Sequence, residues 1–251
     1  MSLEATIHAV QGWLRASSRI VVLTGAGIST ESGLPDFRGP QGLWTKDPDA
    51  EKLSDIRYYM SDGEIRKKAW RQRLEMLSRL AEPNRGHLAI VELERRGTLH
   101  AVVTQNIDGL HQKAGTSPDL MIEVHGTVRR VMCMRCAWRG PMEETLARVT
   151  AGESDPPCLQ CGGILKSDTI SFGQPLVPAV ISRAMRAAET ADLLLAVGTS
   201  LQVYPIAGAV PAAHDAGARV VILNGEPTPF DEMADAVLGA SIGEMLPRLL
   251  E

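Results

Sequence analysis

Short apolar runs and amphipathic stretches alternate along this chain. Four runs, Arg19 to Leu23, Leu99 to Val103, Asp192 to Val197 and Arg219 to Leu223, are built almost wholly from Val, Ile, Leu and Ala. Each halts at Gly, Thr, Ser or Asn, as strands covered on both faces do. Ahead of the first run, Leu3, Ile7, Val10 and Leu14 make one helical stripe. Leu88 to Arg96 repeats that stripe, with basic residues in the last turn and Gly97 as its stop. Further helices are predicted through Ile181, Ala184, Met185 and Ala188, and over Ile206 to Ala216, where Pro211 weakens the pattern. Ile242 to Leu250 reads as a terminal amphipathic helix. Alternating helices and buried strands predict an α/β fold with a doubly wound parallel sheet, Rossmann-like in layout.

Two stretches break the alternation. Residues from about 37 to 82 are polar, with a Gly39-Pro40-Gln41-Gly42 loop and a helix expected over Arg66 to Leu80. Residues from about 129 to 166 carry all the cysteines and a Gly/Pro-rich segment. Both read as excursions that together form a smaller lobe. The large domain is then residues 1–36, 83–128 and 167–251; the small one is a helical part, 37–82, and a zinc ribbon, 129–166.

Composition narrows the class. The 251 residues are 44% hydrophobic and 22% charged, a globular mix that excludes a disordered or fibrous chain. With 26 basic against 30 acidic residues, the net charge of −4 supplies no general field for nucleic acid. No apolar run is long enough to cross a bilayer, and no basic leader precedes an apolar stretch, so a cytoplasmic protein is expected. The four cysteines fall as Cys133-x-x-Cys136 and Cys158-x-x-Cys161, with 21 residues between the pairs. In a reducing compartment that spacing favours a zinc ribbon over disulfides. Four thiolates complete a tetrahedron and leave no open position, so this zinc is structural.

Ligands of an open parallel sheet bind beyond the carboxyl ends of its strands. Here those ends read Thr24-Gly25-Ala26-Gly27-Ile28-Ser29, Thr104-Gln105-Asn106-Ile107-Asp108-Gly109, Gly198-Thr199-Ser200 and Asn224-Gly225-Glu226. Together they describe a nucleotide cleft. The Gly25-Ala26-Gly27 turn is expected to let the backbone approach a pyrophosphate at a helix amino terminus. It fails the hydride-transfer fingerprint, because Thr30 replaces the third glycine and Ser32-Gly33-Leu34-Pro35 cuts the helix short. Asn106 and Asp108 alternate along an extended tip and are expected to face one cavity. Of six histidines, His8, His100 and His214 read as solvated, whereas His125 stands at the junction of the two lobes and suits a general base.

The strings Gly25-Ala26-Gly27-Ile28-Ser29, Gly33-Leu34-Pro35-Asp36-Phe37-Arg38, Thr104 to His111, His125-Gly126, the two cysteine pairs, Phe172-Gly173 and Gly198-Thr199-Ser200-Leu201 resemble, in order, the signature set of the sirtuins. The resemblance covers nearly the whole chain. It implies an NAD-dependent protein-lysine deacylase, most directly a deacetylase, acting on acyl-lysine proteins or peptides. It places Gly25, Ala26, Gly27, Ile28 and Ser29 at the dinucleotide, and Asp36, Phe37 and Arg38 on a loop over the nicotinamide ribose. Gln105, Asn106, Ile107 and Asp108 line the nicotinamide pocket. Gly198, Thr199 and Ser200 meet phosphate and ribose, and Asn224 and Glu226 the adenosine. His125 is the implied base, assisted by Asn106 and Asp108. Phe172, Gly173 and Val203 flank the peptide, which adds as a strand. In the implied mechanism the acyl carbonyl oxygen attacks the nicotinamide ribose, and His125 then helps a ribose hydroxyl attack the acyl carbon.

Some positions depart from the family pattern. Gln174 stands where the family often has Glu, and no Tyr-x-x-Arg pair for succinyl or malonyl groups occurs; the corresponding stretch is Trp70-Arg71-Gln72-Arg73. The basic run Ile65 to Trp70 resembles a branch of broader acyl preference and equally suits a solvated helix face. Two other functions compete: mono-ADP-ribosyl transfer from the same NAD site, and a non-catalytic nucleic-acid module built on Arg129, Arg130, Arg135 and Arg139. The acidic total and lack of clustered aromatics oppose the second.

Overall fold

The computed structural model describes residues 2–36, 42, 50–78 and 81–251. In chain order the helices are α1 (Leu3–Ala16), α2 (Ala50–Leu53), α3 (Ile56–Ser61), α4 (Gly63–Ser78), α5 (Arg85–Arg95), α6 (Leu110–Ala114), α7 (Met142–Thr150), α8 (Pro178–Glu189), α9 (Ala209–Asp215) and α10 (Ile242–Leu249). The strands are β1 (Ile20–Thr24), β2 (Leu99–Thr104), β3 (Met121–Glu123), β4 (Gly126–Cys133), β5 (Arg139–Pro141), β6 (Leu165–Thr169), β7 (Leu193–Val197), β8 (Arg219–Leu223) and β9 (Ala236–Leu238). Among the described residues no helix is long and apolar enough to cross a membrane.

Six strands form one parallel sheet in the order β3-β2-β1-β7-β8-β9. Alternation along each strand feeds two cores. Ile20 and Val22 of β1, with Leu193, Leu195 and Val197 of β7, pack under α1, α5 and α10. Val21 and Leu23, with Leu194 and Ala196, pack under α8 and α9. This is the doubly wound arrangement, and both layers expel apolar surface worth roughly 25 cal/mol per Å².

The predicted central strands are all present. The edge strands β3 and β9 were not predicted, because three residues carry too little periodicity to read. Helix α5 begins at Arg85, ahead of the expected Leu88, because Asn84 caps it with its side chain on Gly86 N and His87 N. Leu88 and Leu3, both assigned to apolar stripes, are exposed. The helix expected over Ile206 to Ala216 splits into a 3₁₀ turn, Ile206–Gly208, and α9. Pro211 falls in the first turn of α9, where its missing N–H has no intrahelical partner to lose.

The chain leaves this sheet at β4, which pairs antiparallel with β5 and β6. This three-stranded sheet and α7 surround the cysteines, and neither was read from the sequence as strand or helix. Trp70 of α4, 1% exposed, sits in the ribbon's apolar cluster with Val131, Met142, Leu146, Leu165 and two of the cysteines. Tyr59 of α3 donates its hydroxyl to Leu165 O at 2.7 Å. Arg66, in the basic run, pairs with Asp155 at 2.8 Å and pins α4 to the ribbon loop. The helices thus dock on the metal module, and Trp70 is core rather than pocket lining.

At the sheet's carboxyl edge Thr24, Thr104, Val197 and Leu223 lie in register, so the four motif segments begin side by side. From β1 the chain runs one way to β2 and β3 and later returns to β7 on β1's other flank. The switch point therefore lies between β1 and β7. There Gly198 takes φ +59°, and a Cβ on it would lie 2.4 Å from Ile28 N. Gly198→Ala is expected to cost about 3 kcal/mol or more, lowering Tm by roughly 6–12 °C in a calorimetric scan. Gly225→Ala, where a Cβ meets nothing within 4 Å, is expected to leave Tm within about 2 °C.

Candidate functional site

The Gly25-Ala26-Gly27 turn has a second role beyond the expected one. Segment Ala26–Ser32 is a 3₁₀ helix ending at Gly33, φ +82°. Gly25 N donates to Val197 O at 3.2 Å and Gly27 N to Gly198 O at 2.8 Å. A Cβ on Gly25 or Gly27 would lie 2.7–2.8 Å from Gly198 atoms. These glycines let two strand tips touch backbone to backbone, and two of their donors are consumed by the protein.

Around that contact the polar residues interlock. Ser29, 2% exposed, donates to Asp108 Oδ2 at 2.8 Å, and Asn106 Nδ2 donates to Gly25 O at 2.9 Å and Ser29 Oγ at 3.3 Å. Asn106 and Asp108 thus converge on one hydroxyl, as their alternation predicted. Asp108 Oδ1 also accepts from Leu110 N at 2.9 Å, opening α6. Gln105 Nε2 reaches Thr199 Oγ1 at 2.9 Å and ties the β2 tip to the β7 tip. Gln105 O faces His125 Nδ1 at 2.9 Å.

That last contact sets the imidazole. A carbonyl only accepts, so His125 carries its proton on Nδ1, and Nε2 is left as a free lone pair. Burial lowers the His125 pKa from the ordinary 6.5, with the bond to Gln105 O opposing it. His125 is therefore neutral at pH 7 and oriented. It sits between β3 and β4, and Ile170 N, just after β6, donates to its carbonyl at 2.8 Å, so side chain and backbone are both anchored.

Among the described residues, Asn106 Oδ1 and His125 Nε2 accept no protein hydrogen bond. Two unpartnered acceptors beside a glycine-lined edge suit the hydroxyls of a bound ribose. Ala26, Ile28, Ile107 and Ser200 flank the same edge, and Asn224 and Glu226 lie further along it at the β8 tip. Asn224 Nδ2 donates to Glu226 O at 2.7 Å, apart from the network above. Asp36 is the last described residue of its loop; Phe37 and Arg38, like Gly39, Pro40 and Gln41, lie outside the described residues.

At the far side of the junction Phe172 is 44% exposed. Its N–H donates to Ser54 O at 2.8 Å and its carbonyl accepts from Ile56 N at 3.0 Å. Its backbone is already paired, and the next residue, Gly173, takes φ +77°. His8, His100 and His214 are exposed, as expected. Sequence reading missed Asn84 and His87, and it quoted Thr24, Thr104 and His111 within motifs without giving them a role of their own; all five are buried or half-buried behind the cleft. The readable signal was Asn84 three residues ahead of His87, a helix-capping spacing.

In the ribbon the four cysteine sulfurs all lie within 4.8 Å of one another. Cys133 and Cys161 Sγ are 3.5 Å apart, and Cys136 and Cys158 Sγ 3.8 Å. Disulfide sulfurs sit at about 2.05 Å, and the four thiols here are free. Four thiolates at about 2.3 Å from one zinc lie about 3.8 Å from each other. The sulfurs thus fit a tetrahedral zinc, and Cys133 Sγ also accepts from Arg135 N at 3.3 Å and Cys136 N at 3.4 Å.

Comparison with known proteins decides the family. The Sir2 family model matches residues 25–205, which span both the cleft and the ribbon. The chain belongs to the Sir2 family. It is 52% identical over 231 residues to NAD-dependent protein deacetylase 2 of Streptomyces coelicolor, covering 92% of this chain and 96% of that protein. It is 44% identical over 251 residues to an NAD-dependent protein deacetylase of Sulfolobus acidocaldarius, covering 100% and 96%. A solved Sir2 variant with a deacetylated p53 peptide and 3′-O-acetyl-ADP-ribose superposes with a TM-score of 0.87 at 33% identity, covering 97% of each chain. The Sir2 assignment agrees with the resemblance carried by the sequence motifs, and the Rossmann-like sheet with its cysteine ribbon agrees with the expected fold.

For this Sir2 chain, Cys158→Ser is expected to lose bound zinc, from about one ion per chain to near none by metal analysis. Because Trp70 packs against the cysteine cluster, its fluorescence is expected to change with metal loss, as chelation opens the ribbon core. Retention of zinc and an unchanged melting profile would contradict the shared site.

Proposed function

We propose that this Sir2 chain is an NAD-dependent protein-lysine deacylase, most directly a deacetylase, that acts on acyl-lysine proteins or peptides. The observation that carries the reading is His125: neutral, with Nδ1–H spent on Gln105 O and Nε2 free, beside the Ser29–Asn106–Asp108 cluster. NAD supplies an electrophilic anomeric carbon, made reactive by its bond to nicotinamide. The cleft residues bind and orient. Ala26, Gly27, Ile28, Gly198, Thr199 and Ser200 line the dinucleotide, and Asn224 and Glu226 its adenosine end. Gln105, Asn106, Ile107 and Asp108 hold the nicotinamide and its ribose.

His125 Nε2 takes a proton from a ribose hydroxyl, which then adds to the acyl carbon. Asp108, held as an acceptor by Ser29 and Leu110 N, presents negative charge where the sugar becomes positive. Phe172 contributes its ring, and Gly173 and Val203 contribute backbone, to a peptide laid in as a strand. In this reading residues 1–36, 83–128 and 167–251 are the NAD-binding domain, and 37–82 with 129–166 the small zinc domain. The zinc held by the four cysteines stabilises structure and takes no part in chemistry. The protein acts in the cytoplasm, without nucleic acid or membrane as partner.

The test is incubation of labelled NAD with an acetyl-lysine peptide. Nicotinamide release that depends on the peptide, with label in O-acetyl-ADP-ribose, is expected; stable label on protein would instead favour ADP-ribosyl transfer. His125→Ala is expected to lower kcat by about 100-fold or more. Because the base must be neutral and burial depresses its pKa, the acid limb of kcat/KM for the wild type is expected to have its midpoint below 6.5, with activity level above it. A midpoint above 6.5, or normal turnover by His125→Ala, would remove His125 from that role.

A further inference from the structure

Behind the cleft, out of reach of any substrate, lie two histidines that the reaction does not use. His87 is 0% exposed and His111 2%. Their rings meet edge to face, with centroids 4.9 Å apart and an interplanar angle of 61°. Their hydrogen bonds set both tautomers. His87 Nδ1 accepts from Asn84 N at 3.3 Å, so its proton is on Nε2. Thr24 Oγ1 gives its one proton to Thr104 Oγ1 at 2.8 Å, so toward His111 Nε2, at 3.0 Å, it accepts. His111 then carries its proton on Nε2 and leaves Nδ1 bare.

The two nitrogens left over are His87 Nε2 and His111 Nδ1, both buried and both without a partner. One is a donor, the other an acceptor, and they belong to touching rings. Buried polar groups in folded proteins are almost always paired. At its far end the array reaches the cleft, for Thr104 Oγ1 accepts from Asn106 N at 3.1 Å. At its near end Asn84 Nδ2 holds Ile28 O at 2.7 Å and Ser32 Oγ at 3.0 Å.

We propose that His87 and His111 are positioning residues for the nicotinamide pocket: His87, bonded to Asn84, packs edge to face on His111, and His111 bonds Thr24, so that the Asn84 turn is fastened to the Thr24–Thr104 pair into which Asn106 N also donates. This ring contact fastens both walls of the pocket, the 3₁₀ segment held by Asn84 and the β2 tip at Asn106, to one buried polar core. The proposal rests on the NAD-binding reading above. Neither imidazole touches substrate, and neither exchanges a proton during turnover. What they supply is the position of Asn106, whose amide in turn bridges Gly25 O and Ser29.

The experiment compares steady-state kinetics and melting of four proteins with the wild type. His111→Phe keeps ring volume but removes the donor to Thr24; Thr24→Val keeps shape but removes the hydroxyl; the third combines them; His111→Gln restores a donor at the position of Nε2. His111→Phe and Thr24→Val are each expected to raise KM for NAD about tenfold, with KM for the acyl peptide within about twofold. The double variant is expected to be no worse than the more affected single, since both break the same His111–Thr24 bond. His111→Gln is expected to stay within about threefold of the wild type. The proposal is overturned if Thr24→Val leaves KM for NAD unchanged, if the two effects multiply, if both KM values rise together, or if His111→Gln is as impaired as His111→Phe. Should His111→Phe fail to fold, Thr24→Val decides alone. An inactive wild type would count against the deacylase reading instead, so the two failures are distinct.

Discussion

Two strand tips meet here with no side chain between them, and the rest of the site depends on that contact. Gly25 and Gly27 follow β1, Gly198 follows β7, and their backbones are so close that a single added methyl at any of them collides. Closing the switch point this tightly has a consequence for its neighbours. Ser29 is brought over the β2 tip, where Asp108 and Asn106 share its hydroxyl, and Thr199 is brought within reach of Gln105. Gln105 then presents its carbonyl to His125. The orientation of the base is thus set by a route that starts at glycine packing and passes through amide and hydroxyl groups. Burial along this route keeps the imidazole neutral.

The small lobe is stabilised by different means. Its apolar cluster is small, and cysteines provide part of it. A module of this size gains stability from a metal where hydrophobic burial is limited. Trp70 and Tyr59 bring the helices onto the ribbon, and Asp55 and Phe172 form a bridge that carries the helices to the loop after β6. Packing thus links the zinc site to the loop after β6.

Much of this was readable in the residues. The four central strands, the fact that their tips form one edge, the cysteine tetrad and the isolation of His125 at a junction all follow from local pattern and spacing. The glycine turn is different. In sequence Gly25-Ala26-Gly27 looks like an open cradle for phosphate, but its partner Gly198 lies far along the chain, and no local signal brings the two together. The same reason hid Thr24, Thr104, His87 and His111, whose meaning comes from pairing across separate elements. Short edges such as Met121–Glu123 and Ala236–Leu238 gain strand identity only from the neighbour they hydrogen-bond to.

The central claim is that one cleft holds a dinucleotide ribose and an acyl-lysine within reach of His125 Nε2. A crystal structure with a non-hydrolysable NAD analogue and an acetyl-lysine peptide tests it most directly. The account predicts the peptide between Gly173 and Val203, with its acyl group and the nicotinamide ribose both beside His125 and Asn106. Density for peptide and dinucleotide in separate, unconnected cavities, or a ribose remote from His125, would contradict it.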